Sequence, residues 1–228
     1  MPIVCMTACG TPKAGQTAAH VLAKSFLAAR MDAVLFDRFG QNAIWSALPD
    51  DTEGGPQPLA NRAFIQGLND LQKRHRYVVV DLQGCSDLLS AIALASADLV
   101  LLPIMTRPVN ALPSLKALEM LQVVYANRPE PPQYGMFLYQ SGQPLSTTVD
   151  RRVRKLLKTS PHPLLDSALH ADDAMRFLSS WSSLDRALRN MGQGGTLSDH
   201  PPIADFASEV LDLLKSSSQS GMDARARA

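Results

Sequence analysis

A chain of 228 residues, 46% of them hydrophobic, can bury one full core and is too short for more than one or two domains. Its 22 Lys and Arg nearly cancel 21 Asp and Glu, leaving a net charge of +1, which excludes a uniformly basic nucleic-acid coat and confines any polyanion affinity to a local patch. Three cysteines, Cys5, Cys9 and Cys85, have neither an even count nor C-x-x-C spacing, so free core thiols in a reducing compartment are expected.

The first apolar run, PIVCMTA, has no basic segment ahead of it and leads straight into a Gly/Pro turn, the pattern of a buried strand rather than a secretory signal. A cytoplasmic location is expected. Next comes G-T-P-K-A-G-Q-T, from Gly10 to Thr17, which has the spacing of a phosphate-binding loop, G-x-x-x-x-G-K-[ST], but carries Gln16 in place of the lysine. In such a loop, glycines turn successive backbone N–H groups toward an anion and the following helix adds its positive end. A helix over residues 17–29 is expected to follow, and then a strand, DAVLF, ending at Asp37.

The stretch PDDTEGGPQP, residues 49–58, combines turn formers with few apolar residues and is expected as a loop over the sheet. A helix over 59–75 precedes YVVVDLQG, four apolar residues followed by Asp81 and Gly84. That is the form of an acidic strand that holds magnesium through water. After a helix over 87–95 comes DLVLLPI. The apolar stretch that contains it is cut by Asp98 and Pro103 and falls short of the roughly 18 to 20 residues a membrane span needs, so no span is expected.

A helix over 111–125, the strand YGMFLYQ, and helices over 146–157, 172–181 and 203–214 complete the pattern. Strands with continuous apolar character alternating with helices predict an α/β fold, a mostly parallel sheet with helices on both faces. One domain over 1–215 and a flexible tail over 216–228 are expected.

The helix over 146–157 carries a second candidate site. Arg151, Arg154, Lys155 and Lys158 recur at i, i+3, i+4, i+7 with Arg152 beside them, a basic face that either grips DNA phosphates or is simply solvated over Val153, Leu156 and Leu157. His20, His75, His162, His170 and His200 lack metal-ligand spacing, and Trp45 and Trp181 sit in apolar surroundings that suit a core. The sequence has no G-x-S-x-G elbow for a hydrolase and no G-x-G-x-x-G for a dinucleotide.

The phosphate-loop frame, the strand ending at Asp37 and the acidic strand ending at Asp81 occur in the order in which the ParA/MinD group of P-loop ATPases has them, and the chain to about Leu214 resembles that group. The segments LSTTVDRRVRKLL and SALHADDAMRFL look most like its ParA-type member of T-DNA and conjugative transfer. The resemblance implies ATP and magnesium as cofactors, with Gly10, Thr11, Lys13, Ala14, Gly15, Gln16, Thr17 and Asp81 around the nucleotide and Thr17 and Asp81 around the metal. It also implies non-specific DNA binding through Arg151, Arg152, Arg154, Lys155 and Lys158, and a cargo or adaptor protein as partner.

The match departs from the family at positions that matter. Thr11 stands where the group has the lysine that reaches the partner's nucleotide, Gln16 where it has the lysine on the β- and γ-phosphates, Pro12 and Lys13 where it has glycines, and Phe39 where it has the second carboxylate of D-x-D. Asp37 matches the first. Losing one charged clamp costs phosphoryl transfer about a thousandfold. Weak or lost hydrolysis is therefore expected, with a monomer or a nucleotide-independent homodimer. Two functions stay open: a positioning or partition factor acting on plasmid DNA or on a DNA-transfer or secretion complex, and a non-catalytic interaction platform, for example in a polar secretion or polysaccharide-export assembly.

Overall fold

The computed structural model describes residues 1–7, 12–36, 57–82, 87–105, 132–142, 147–188 and 197–226, together with helical residues Glu119, Leu121 and Val123. Six strands, β1 (Ile3–Met6), β2 (Ala33–Phe36), β3 (Tyr77–Asp81), β4 (Leu99–Met105), β5 (Gln133–Gln140) and β6 (Leu164–His170), form one sheet in the order β2-β3-β1-β4-β5-β6, and every pairing is parallel. The expected parallel α/β fold is the one observed. Helices α1 (Pro12–Ala28), α2 (Gln57–Arg74), α3 (Asp87–Ser96), α4 (Thr147–Leu157), α5 (Ala171–Leu188) and α6 (Pro201–Ala226) make the crossovers and the final layer.

Alternation along the strands divides the core in two. On one face Ile3, Cys5, Val78, Val80, Val100 and Leu138 pack with Phe64 and Leu68 of α2, Leu89 and Ala93 of α3, and Val153 and Leu157 of α4. On the other, Val4, Met6, Val79, Leu101 and Phe137 pack with Ala18 and Phe26 of α1, Phe177 of α5, and Phe206 and Val210 of α6. Phe137 and Phe206 meet in a tilted pair with ring centroids 5.0 Å apart. Gly135 lets α6 come this close, because a Cβ there would stand 3.0 Å from side-chain carbons of both Leu101 and Leu213.

Pro103 lies inside β4, where a missing N–H would normally break a ladder. The last β1 contact to β4 is the Thr7 amide donating to the Leu101 carbonyl at 3.0 Å. The N–H that Pro103 lacks would point to the same side, beyond Met6, the last residue of β1, so no bond between the two strands as bounded is lost.

Four expectations need correction. Helix α1 begins at Pro12, five residues before the expected Thr17, because proline has the φ angle of a helix at its first position and no amide to leave unsatisfied there. Strand β6 was not expected: Asp166 and Ser167 interrupt its apolar character, and His170 passes directly into Ala171 of α5 with no turn between. The last helix runs to Ala226, continuing beyond its last described buried residue, Leu214. Leu156, expected in the core, is exposed; among the described side chains of α4, Val153 and Leu157 are the ones buried against the sheet. The loop expected over 49–58 overlaps α2 at its end; the rest of it, and most of the helix expected over 111–125, lie outside the described residues.

Candidate functional site

The sheet changes direction at β1. From it the chain crosses to β2 at one edge, whereas after β3 it crosses β1 to β4 and continues to β6 at the other edge. Ligands of open parallel sheets bind beyond the carboxyl ends of the strands at such a switch. Among the described residues three polar side chains are fully buried, and two of them are here. Asp81, 2% exposed, is the last residue of β3 and is in register with Met6, the last residue of β1. Thr7 follows Met6, and its buried hydroxyl makes no hydrogen bond among the described residues. Sequence reasoning passed over Thr7, because a threonine at a strand end carries no signal until its burial is seen. The third, Ser25, donates to the Val21 carbonyl one turn back in α1 and is structural.

Helix α1 leaves this same end of the sheet, so the structure brings Asp81 and the start of α1 to one margin. Gly10, Thr11, Asp37 and Phe39 lie outside the described residues. Lys13, Ala14, Gly15, Gln16 and Thr17 form the first turns of α1: Lys13 points to solvent, Ala14 and Gly15 are buried, and Gln16 and Thr17 are half-buried. A helix leaves unsatisfied only the amides of its first turn. With α1 starting at Pro12, the amides of Gln16 and Thr17 donate back along the helix to Pro12 and Lys13, and Pro12 has none to offer. The residues thus fit the two halves of a magnesium triphosphate unequally. Thr17 and the buried Asp81 suit the metal side, whereas on the phosphate side Gln16 stands at the lysine position of the G-x-x-x-x-G-K-[ST] frame and Pro12 has no amide.

The second candidate site lies on the opposite face. Helix α4 carries Val153 and Leu157 inward, and on a 3.6-residue helix Arg151, Arg152, Lys155 and Lys158 fall on the side away from them. All four are exposed, and none forms an ion pair with the described residues. Arg154 does not join them. Half-buried, it donates Nη1 to the main-chain carbonyl of Asp166 in β6 at 3.1 Å.

Other titratable pairs sit elsewhere. At the amino end of the sheet, Asp32 accepts from His75 at 2.8 Å and from the Arg76 amide at 3.1 Å, and the imidazole contact holds its carboxyl below the usual range. His162 packs edge-on to Tyr134 with centroids 5.6 Å apart, and burial pushes its imidazole below its ordinary range. No described helix is long and apolar enough to cross a membrane.

A six-stranded parallel sheet with its switch at β1, a helix leaving β1 and a buried aspartate ending β3 is the layout of a P-loop nucleotide-binding fold. No protein-family model matches the chain, and no curated protein does. Solved structures do. McdA of Cyanothece in its ATP complex superposes with a TM-score of 0.62 at 15% identity, over 94% of this chain and 96% of that one. MinD, a cell division protein of Aquifex aeolicus, gives 0.60 at 10% identity over 93% and 97%. A Borrelia burgdorferi protein assigned to plasmid partition, bound to AMPPNP, gives 0.52 at 14% identity over 75% and 88%. The chain has the fold of the ParA/MinD P-loop proteins.

Proposed function

We propose that this chain is a positioning or partition factor of ParA/MinD type that acts with a degenerate nucleotide site. The observation that carries this reading is the start of α1 at Pro12, which draws Gln16 and Thr17 into the helix. Charge-assisted hydrogen bonds contribute about 1.5 to 3 kcal/mol each, so two absent lysines together weaken triphosphate binding by at least about a hundredfold. Magnesium retains Thr17 and Asp81, and ATP·Mg binds weakly at most. Hydrolysis is slow or absent.

Cargo is then held by the surface of the fold. Helix α4 offers Arg151, Arg152, Lys155 and Lys158 to a duplex backbone, and the partition protein among the structural relatives supports DNA as that cargo or track. The same early start of α1 favours a second reading, a non-catalytic platform that recruits a DNA-transfer, secretion or polysaccharide-export assembly through protein contacts. Saturable ATP·Mg binding and salt-sensitive duplex binding support the first reading, and silence in both supports the second. Because Thr11 is no lysine to reach across to a partner's nucleotide, light scattering should give one mass with and without ATP·Mg, that of a monomer or a nucleotide-independent dimer. A shift from monomer to dimer on adding ATP would contradict this.

A further inference from the structure

Strand β6 is an edge of the sheet, and its middle is irregular. Met136 pairs with Leu164 and Leu138 with Ala168, so residues 165–167 bulge opposite a single residue of β5. A bulge strips backbone groups of ladder partners, and an unpaired peptide at an edge needs another source of hydrogen bonds. Here the peptide joining Asp166 to Ser167 finds one on each side of the sheet. Its carbonyl accepts from Arg154 of α4 at 3.1 Å, and its N–H donates to Oε1 of Glu209 at 2.8 Å. Glu209 lies on α6, across the sheet from α4, and its Oε2 also accepts the Asp166 amide at 2.6 Å. A cationic and an anionic side chain thus grip one peptide unit from opposite faces, each polarising it toward the other.

We infer that this latch positions the cationic face of α4, and that Arg154 is a positioning residue and no part of the surface that meets a polyanion. The helix has only Val153 and Leu157 buried against the sheet among its described side chains, so a directional bond to β6 is what fixes its rotation and keeps Arg151, Arg152, Lys155 and Lys158 facing outward together. Glu209 does the same at one remove, by holding the bulge to which Arg154 bonds. The inference rests on the reading of α4 as a DNA-contacting helix.

Simple charge counting and positioning predict opposite signs, which makes the test sharp. Removing the negative charge of Glu209 should strengthen duplex binding if only net charge matters, whereas loss of the latch should weaken it. Fluorescence anisotropy with a random-sequence 30-base-pair duplex, titrated across potassium chloride concentrations, compares wild type with Glu209→Ala, Glu209→Gln, Arg154→Gln and Arg151→Gln. We expect Glu209→Ala to weaken binding by about threefold or more, and Glu209→Gln, which keeps one acceptor, by less. Arg154→Gln, which removes no phosphate contact, should keep its salt slope, while Arg151→Gln should lower it by roughly 0.9, one phosphate contact. Tighter binding by Glu209→Ala, or a slope lowered as much by Arg154→Gln as by Arg151→Gln, overturns the assignment. Hydrogen exchange of the α4 amides decides the latch without DNA: faster exchange in Glu209→Ala and Glu209→Gln than in wild type upholds it, and unchanged exchange in both rejects it. Duplex binding that is absent in wild type, or unchanged in Arg151→Gln, instead removes the DNA reading and leaves the exchange result to stand alone.

Discussion

The β1–α1 junction and the β5–α4–β6 corner are built alike and have gone opposite ways. At each, a helix leaves the carboxyl end of a parallel strand and packs apolar residues on the sheet: Ala14 and Ala18 in α1, Val153 and Leu157 in α4. At the first, Gln16 stands at the lysine position of the phosphate-loop frame and the helix begins at Pro12. At the second, four exposed cations stand on one face while a fifth, Arg154, is tied to the backbone. The scaffold and the proposed site draw on different residues: none of the positions that depart from the phosphate-loop pattern lies in a described strand.

The largest effect is expected at the buried centre of the face on which α1 and α6 pack. Phe137 of β5 is fully buried against Phe206, and Phe137→Ala should cost about 3 to 5 kcal/mol in a urea unfolding experiment, enough to abolish the comparison by unfolding the sheet beneath α6. A loss below about 1 kcal/mol would mean that the layer of α1, α5 and α6 is not supported as described.

The next prediction sharpens the contrast by removing what the corner has gained. Changing Arg151, Arg152 and Lys155 together to alanine should flatten the dependence of duplex affinity on salt by about two to three units and weaken binding to any sequence alike, with circular dichroism unchanged, since all three side chains are exposed. An unaltered slope would return α4 to a solvated surface.

A smaller effect distinguishes the corner from the junction by pH. His162, in the turn between α4 and β6, has its imidazole pushed below its ordinary range by burial. The unfolded chain therefore binds more protons near and below pH 6.5, and stability present above that value should decline as pH falls through the lowered folded value. Urea midpoints at pH 7.5 and 5.5 should fall further in wild type than in His162→Gln. An equal fall in both would show that the contact with Tyr134 carries no linkage.

Much of this was legible in the sequence because burial on both faces writes itself as unbroken apolar runs: YVVVD and LVLLPIM are strands β3 and β4 as read. The frame around Gly15, Thr17 and Asp81 was equally plain. Strand β6 was not, because an edge strand with a bulge has little apolar pattern to show and its stabilising partners are charged side chains from distant helices. Glu209 gave no signal at all, since backbone amides of β6 are its partners and a sequence does not display which amides lack a ladder. The advance of α1 to Pro12 was hidden by the strength of the loop pattern itself, although a proline before four non-glycine or singly glycine-interrupted residues is what a helix start looks like.

We propose that the junction has lost its grip on triphosphate. Isothermal titration of ATP into wild-type protein with magnesium present tests it most directly, with Gln16→Lys titrated in parallel. The account predicts no saturation below about 1 mM for wild type, set by the missing charge-assisted bonds. It predicts at most partial recovery for Gln16→Lys, because Pro12 still starts the helix early. Saturable wild-type binding in the micromolar range would contradict it.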